Sequence, residues 1–396
     1  MIVVHPRDLA EPTSGGIQTF LRDFVAHAPQ DFEIFVAGVT SDAKERPIGA
    51  IQRVAIGRNG AQFMPFGISG SLLRHPLTLP PTLLALRRLR SELRRPGTIL
   101  QLHRPYRHFP FSGHRGPRVQ IIHLDLDAWP GPSGWRRLNW LYRDFDSDLD
   151  RFDRVFVANQ AGAERLKREH PDVAARIAFL SGWYDDASFR VPDLESRDDI
   201  RRRLMALVGI PDETLDKRWV LFVGRLDPIK DPQLAVDAFA EVARGDLSVR
   251  LMVVGDGEAR VPMESRGAES GSADRIHFFG ELSRARVADF MAASDALLVS
   301  SIAEGGGPRV VLEALGSGLP VVSTIAGEVR RSVTSGVNGW LADERTPEAL
   351  AEGLRWTLAQ PRDAMSDAAA TAARPFVART VLQQLYDAYR ELAPSG

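Results

Sequence analysis

Apolar runs rich in Val and Ile recur along the chain, most of them separated by stretches long enough to form a helix. MIVVH, EIFVAGV, RVAIG, TILQLH, VQIIHL and RVFVAN make a first series, and WVLFVG, VRLMVVG, RIHFF, ALLVS and LPVVS make a second. Such short, largely apolar runs suit strands covered on both faces, so each series predicts a parallel sheet flanked by helices. Between the two series lies SGWYDDASFRVPDLESRDD, a polar, acid-rich stretch that reads as a connection between domains. The expected fold class is therefore α/β, with two Rossmann-like doubly wound domains over residues 1–185 and 195–374. Ligands of such sheets bind beyond the carboxyl ends of the strands, and a ligand shared by two domains is expected in a cleft between them.

Length agrees with two domains, since 396 residues exceed what one core usually serves. Apolar residues at 44% and charged residues at 26% describe an ordinary globular protein. No run approaches the roughly 20 apolar residues that cross a bilayer. The N-terminal MIVVHPRDL lacks the basic-then-apolar order of a secretory signal. The absence of cysteine excludes disulfides and thiolate chemistry, and agrees with a cytoplasmic protein. Net charge is −1, but its distribution is uneven: from Arg74 to Arg118 there are ten arginines and four histidines against the single acid Glu92. Within this block TLLALRRLRSELRR sets Leu83, Leu86, Leu89 and Leu93 near helical spacing, with Arg87, Arg88, Arg90, Arg94 and Arg95 projecting. A basic amphipathic helix can lie on an anionic membrane surface; a solvated arginine-rich face is the alternative. Nucleic acid is not expected, because the rest of the chain is balanced and carries no recognition motif.

Four strand-end loops carry candidate chemistry. PTSGGIQTF places Gly15 and Gly16 before a predicted helix, where backbone amides can meet a phosphate or a sugar. VGRLDPIKDP sends Arg225 and Lys230 out of a strand end, a fork and a point charge suited to a diphosphate. A plain salt-bridged loop with Asp227 and Asp231 is the alternative. VVGDGE holds Gly255 and Gly257 but lacks the third glycine of a dinucleotide fingerprint. The fourth, EGGGPRVVLEALGSGLPVV, puts Gly305, Gly306, Gly307 and Pro308 at the start of a helix, between Glu304 and Glu313 nine positions apart. That arrangement can present amides to an anion and carboxylates to vicinal hydroxyls, or simply cap a surface helix. Aspartates at 125, 127 and across DFDSDLD read as chance spacing and a polar helix face, so no metal site is expected.

With SGG near the start and SGVNGWL at 335–341, these loops resemble the large family-four group of retaining glycosyltransferases with the GT-B fold. The resemblance is strongest from about 218 to 341. It implies that Arg225 and Lys230 hold a donor diphosphate and that Glu313 holds the ribose diol. It further implies that Glu304, Gly306 and Gly307 meet the donor sugar, and that Gly15 and Gly16 approach the diphosphate from the first domain. A histidine at the end of a first-domain strand would face the sugar: His123 is the best match and His103 the second, although a structural role is open to either. The family usually spaces its two acids eight apart, and usually carries an Asn-Gly-Val-Asp run where SGWYDD stands here. The C-terminal segment 375–396 has helical spacing and, by the same resemblance, packs back on the first domain.

The implied activity is a hexosyltransferase using a UDP- or GDP-linked sugar as donor, with no cofactor and no metal required. The first domain would bind the acceptor. Its basic block and the loop WPGPSGWRR, with Trp129 and Trp135, suit a saccharide or lipid-linked acceptor of exopolysaccharide or cell-envelope synthesis, at the inner face of a membrane. A soluble natural-product acceptor, a nucleotide-sugar epimerase and an idle nucleotide-sugar sensor are the alternatives.

Overall fold

The computed structural model describes residues 1–4, 8–9, 16–57, 60–68, 79–103, 114–123, 146–192, 197–210, 212–304 and 306–392. The chain divides into two compact units, residues 1–180 with 379–396, and residues 181–378. Each is built on its own sheet, and the two together have the α/β class that the apolar runs predict.

In the first unit β1 (Ile2–Val4), β2 (Phe35–Thr40), β3 (Gln52–Val54), β4 (Ala61–Ile68), β5 (Leu100–Leu102), β6 (Arg118–Ile122), β7 (Arg154–Val157) and β8 (Ile177–Phe179) form one sheet, in the order β3-β4-β2-β1-β5-β6-β7-β8. Neighbours run parallel except β3 and β4. Of RVAIG only Arg53 and Val54 enter a strand, and it is an antiparallel edge strand, not another member of the parallel series. The strand beside it, β4, is hidden in the sequence by Pro65 and Gly67. The ladder accepts them through a register shift between Gly38 and Val39. The helix Leu79–Leu93 buries Ala85, Leu89 and Leu93 in the core of this sheet and leaves Arg87, Arg88, Arg94 and Arg95 exposed. The helix Ala378–Leu392 packs on the same unit: Tyr386 and Tyr389 are fully buried, and the Tyr386 hydroxyl donates to the Phe24 carbonyl at 2.8 Å.

In the second unit β9 (Arg218–Val223), β10 (Val249–Val254), β11 (Ile276–Phe278), β12 (Ala296–Val299), β13 (Val321–Thr324) and β14 (Gly339–Ala342) form a wholly parallel sheet. Its order is β11-β10-β9-β12-β13-β14. Strand order therefore reverses between β9 and β12, the point where the loops leaving two adjacent strands diverge and a crevice opens. The segment expected to connect the domains is no polar linker at its start. Trp183, Tyr184 and Phe189 are buried, and Tyr184 trades backbone bonds with Phe376 and Ala378 at 3.0 and 2.8 Å. A Cβ at Gly316 would meet the Tyr184 ring at 2.2 Å, so this aromatic sits directly on the helix Arg309–Gly316.

Candidate functional site

The loops after β9 and β12 flank the reversal point, and they are two of the four that sequence reasoning singled out. They are tied to each other. The Ser300 hydroxyl reaches the carbonyls of Lys230 and Asp231 at 2.8 Å each, and the Ile302 amide donates to the Ile229 carbonyl at 2.8 Å. Lys230 Nζ lies 2.5 Å from Glu304 Oε1, which also accepts from the Ser301 hydroxyl at 2.7 Å. Both side chains are largely shielded, 25% and 12% exposed, so water screens the pair less than it does a surface ion pair. Arg225 is 69% exposed and bonds Asp227 through Nε at 2.7 Å. Of the two acids expected to neutralise this loop, Asp227 does so, whereas Asp231 pairs with Arg345 and caps the helix Pro232–Ala243. The partner of Lys230 is Glu304, 74 positions away.

Past Glu304 the chain turns into the helix Arg309–Gly316, whose N-cap is Pro308 with no side-chain cap. The first amides of this helix lack an intrahelical acceptor by geometry and carry the positive end of its dipole. The turn is braced from behind by the loop after β13. The Glu328 amide donates to the Gly306 carbonyl at 3.3 Å, and Gly327, at φ +56°, lies so close that a Cβ there would meet the Gly306 oxygen at 2.3 Å. Glu313 is one helical turn in, 14% exposed, with an Arg284 guanidinium nitrogen 4.0 Å away. Sequence reasoning missed Ser301, Gly327 and Glu328; none belongs to a motif, and only the fold brings them to the turn.

Gly255 follows β10. A Cβ there would meet the Gly224 carbonyl at 1.9 Å, and its amide already donates to Gly280 at 2.8 Å. Close packing of two loop backbones is thus sufficient reason for glycine at this position.

In the first unit His103 and His123 follow the neighbouring strands β5 and β6 and meet each other. His103 Nδ1 is 2.7 Å from His123 Nε2. Phe20 packs edgewise on both rings, at centroid distances of 5.3 and 4.7 Å. Burial lowers the His123 pKa to about 4, which keeps the ring neutral near pH 7. Gly16 opens the helix Gly16–Ala26. Gly15, Gly305, Trp129, Trp135, Asp125, Asp127 and the arginines at 74, 104 and 107 lie outside the described residues. Among the described residues no group of three or more His, Asp or Glu could hold a metal ion, and no helix is long and apolar enough to cross a membrane.

Comparison with known proteins places this geometry in context. Residues 210–374 match the family model for glycosyl transferases group 1. The chain is similar to the D-inositol 3-phosphate glycosyltransferase of Streptomyces griseus, 28% identical over 256 residues, covering 60% of this chain and 53% of the relative. It thus spans about half the length of the curated relatives it matches. Among solved structures, Anabaena HepE in complex with UDP and glucose superposes with a TM-score of 0.75 at 18% identity, over 98% of this chain and 99% of that one. Sucrose-phosphate synthase from Thermosynechococcus elongatus gives 0.76 at 18%, over 99% and 98%. The fold is shared with these GT-B proteins.

Proposed function

Because residues 210–374 match the family model for glycosyl transferases group 1, we propose that the protein moves a hexose from a nucleoside-diphosphate sugar to an acceptor hydroxyl with retention at the anomeric carbon. The observation that carries this reading is the Lys230–Glu304 pair at the strand-order reversal, beside a helix start without a side-chain cap. It supplies a cation for a diphosphate and a carboxylate for sugar hydroxyls within one loop pair. Arg225 adds a second cation, and Glu313 takes the ribose diol. Gly306 and Gly307 lend the turn, and His123 is the group offered to the donor sugar. The bond from the anomeric carbon to the diphosphate breaks and the bond to the acceptor oxygen forms on the same face. The acceptor proton passes to the departing diphosphate. This scheme uses no metal ion. HepE, bound to UDP and glucose, supports a UDP-linked donor.

A thermal-shift comparison of UDP, GDP, dTDP and ADP with their sugar conjugates tests the donor half. One base at about 100 times its dissociation constant is expected to add roughly 2.7 kcal/mol of stability, and Glu313→Ala is expected to remove the effect. No shift with any base sinks the transferase reading; turnover of the nucleotide sugar without an acceptor turns it toward an epimerase.

For the acceptor we propose a lipid-linked saccharide met at an anionic membrane surface. The helix Leu79–Leu93 supports this, because Leu84 stands 66% exposed beside the exposed Arg87 and Arg88. Cosedimentation with vesicles containing anionic phospholipid is expected at low salt and is expected to weaken in Arg87→Glu/Arg88→Glu. Protein that stays in the supernatant at low salt leaves a soluble, phosphorylated acceptor, such as the relatives' name describes, as the better reading.

A further inference from the structure

The two histidines are the end of a longer buried relay. Tyr389, on the helix Ala378–Leu392, donates its hydroxyl to Gln101 Oε1 at 2.7 Å. The Gln101 amide nitrogen lies 2.5 Å from His103 Nε2, and His103 Nδ1 lies 2.7 Å from His123 Nε2. The imidazole planes are 9° apart with centroids 5.0 Å apart, so the rings meet edge to edge. Gln101, His103 and Tyr389 are all buried.

Direction follows from donor and acceptor chemistry. A phenol donating to Oε1 turns the amide NH2 toward His103 Nε2, which must then be a bare acceptor. The His103 proton sits on Nδ1 and is given to His123 Nε2. His123 is left with its own proton on Nδ1. The reversed relay would strand the buried Tyr389 proton without an acceptor among the described residues, which is costly.

We propose that Tyr389, Gln101 and His103 are positioning residues that hold His123 as the neutral Nδ1–H tautomer, so that it acts as a hydrogen-bond donor and not as a base. The tautomer stands on the relay alone; its use toward a donor sugar rests on the function proposed above. Burial, which keeps His123 neutral, agrees with a group that offers one fixed proton.

Long-range ¹⁵N NMR of the full chain labelled at histidine tests it. His123 is expected to show a protonated Nδ1 and a bare Nε2. In Tyr389→Phe and in Gln101→Leu it is expected to become a mixture of tautomers, with kcat roughly fivefold lower at unchanged KM for the donor, about what one hydrogen bond is worth. A protonated Nε2 in the wild type, or an unchanged Nδ1–H pattern in both variants, overturns the relay. Because the wild-type spectrum needs no variant, a misfolded Gln101→Leu does not blunt the test. Tautomers that shift as expected while kcat stays constant uphold the relay and remove His123 from the donor site.

Discussion

Lys230→Ala is expected to lower kcat by roughly 10²–10³-fold, the loss seen when one preorganised donor to a developing negative charge is removed. The argument is electrostatic. Charge accumulates on the departing diphosphate as its bond to the sugar breaks, and Lys230 is the least exposed cation in the two loops at the strand-order reversal. Its stem is fixed by neighbours: the Lys230 amide donates to Asp227 Oδ1 at 3.1 Å and its carbonyl takes the Ser300 hydroxyl at 2.8 Å. Alanine keeps those backbone bonds, so the protein is expected to remain folded. Glu304 would keep the Ser301 hydroxyl as a partner. Arg225→Ala is expected to cost less, because a side chain 69% exposed acts through more water. Steady-state kinetics with the identified donor, alongside melting curves, check this. A Lys230→Ala enzyme within threefold of wild-type kcat would remove Lys230 from the transition state and leave its pairing with Glu304 as architecture.

How far this could be read from the sequence differs from element to element. β9, β10, β12 and β13 are largely apolar and almost wholly buried, and such runs announce themselves. The loops after β9 and β12 were equally legible, since a glycine-rich turn and paired cations are local patterns. What joins them was not: the Lys230–Glu304 pair depends on β9 and β12 being neighbours in the sheet, which no window of residues records. The same limit made His103 and His123 look like rivals, although β5 and β6 set them side by side. β4 escaped because Pro65 and Gly67 break its pattern, and tertiary pairing overrode that local signal. In SGWYDDASF the acids masked Trp183, Tyr184 and Phe189, three aromatics that the second unit buries.

The largest loss of stability is expected from a residue outside every motif. Asp295, 7% exposed, precedes β12, forms an ion pair with Arg197 at 2.6 Å, and accepts from Arg201 at 3.0 Å and from the Trp219 amide at 2.7 Å. Arg362 stands 3.8 Å away, and Arg201 also lies over the Trp219 ring, 4.4 Å from its centroid. Burial pulls the pKa of all three arginines below the usual range, and the Asp295 carboxylate opposes that pull in each. Asp295→Ala removes the carboxylate that Arg197, Arg201 and Arg362 all face. Breaking such a site from one side typically costs about 3–5 kcal/mol, because the surviving charges are left desolvated and uncompensated. Asp295→Asn keeps an acceptor for the Trp219 amide and is expected to fall between the two, which separates the charge from the hydrogen bond. Urea denaturation of the three proteins measures this, with unequal denaturant slopes warning of altered unfolded states. Because Asp295 sits at the end of β12 away from Ser300 and Glu304, turnover per folded molecule is expected to stay near wild type. A loss below about 1 kcal/mol, the centre of the range for ordinary substitutions, would mean that the guanidinium groups relax to water once the carboxylate is gone.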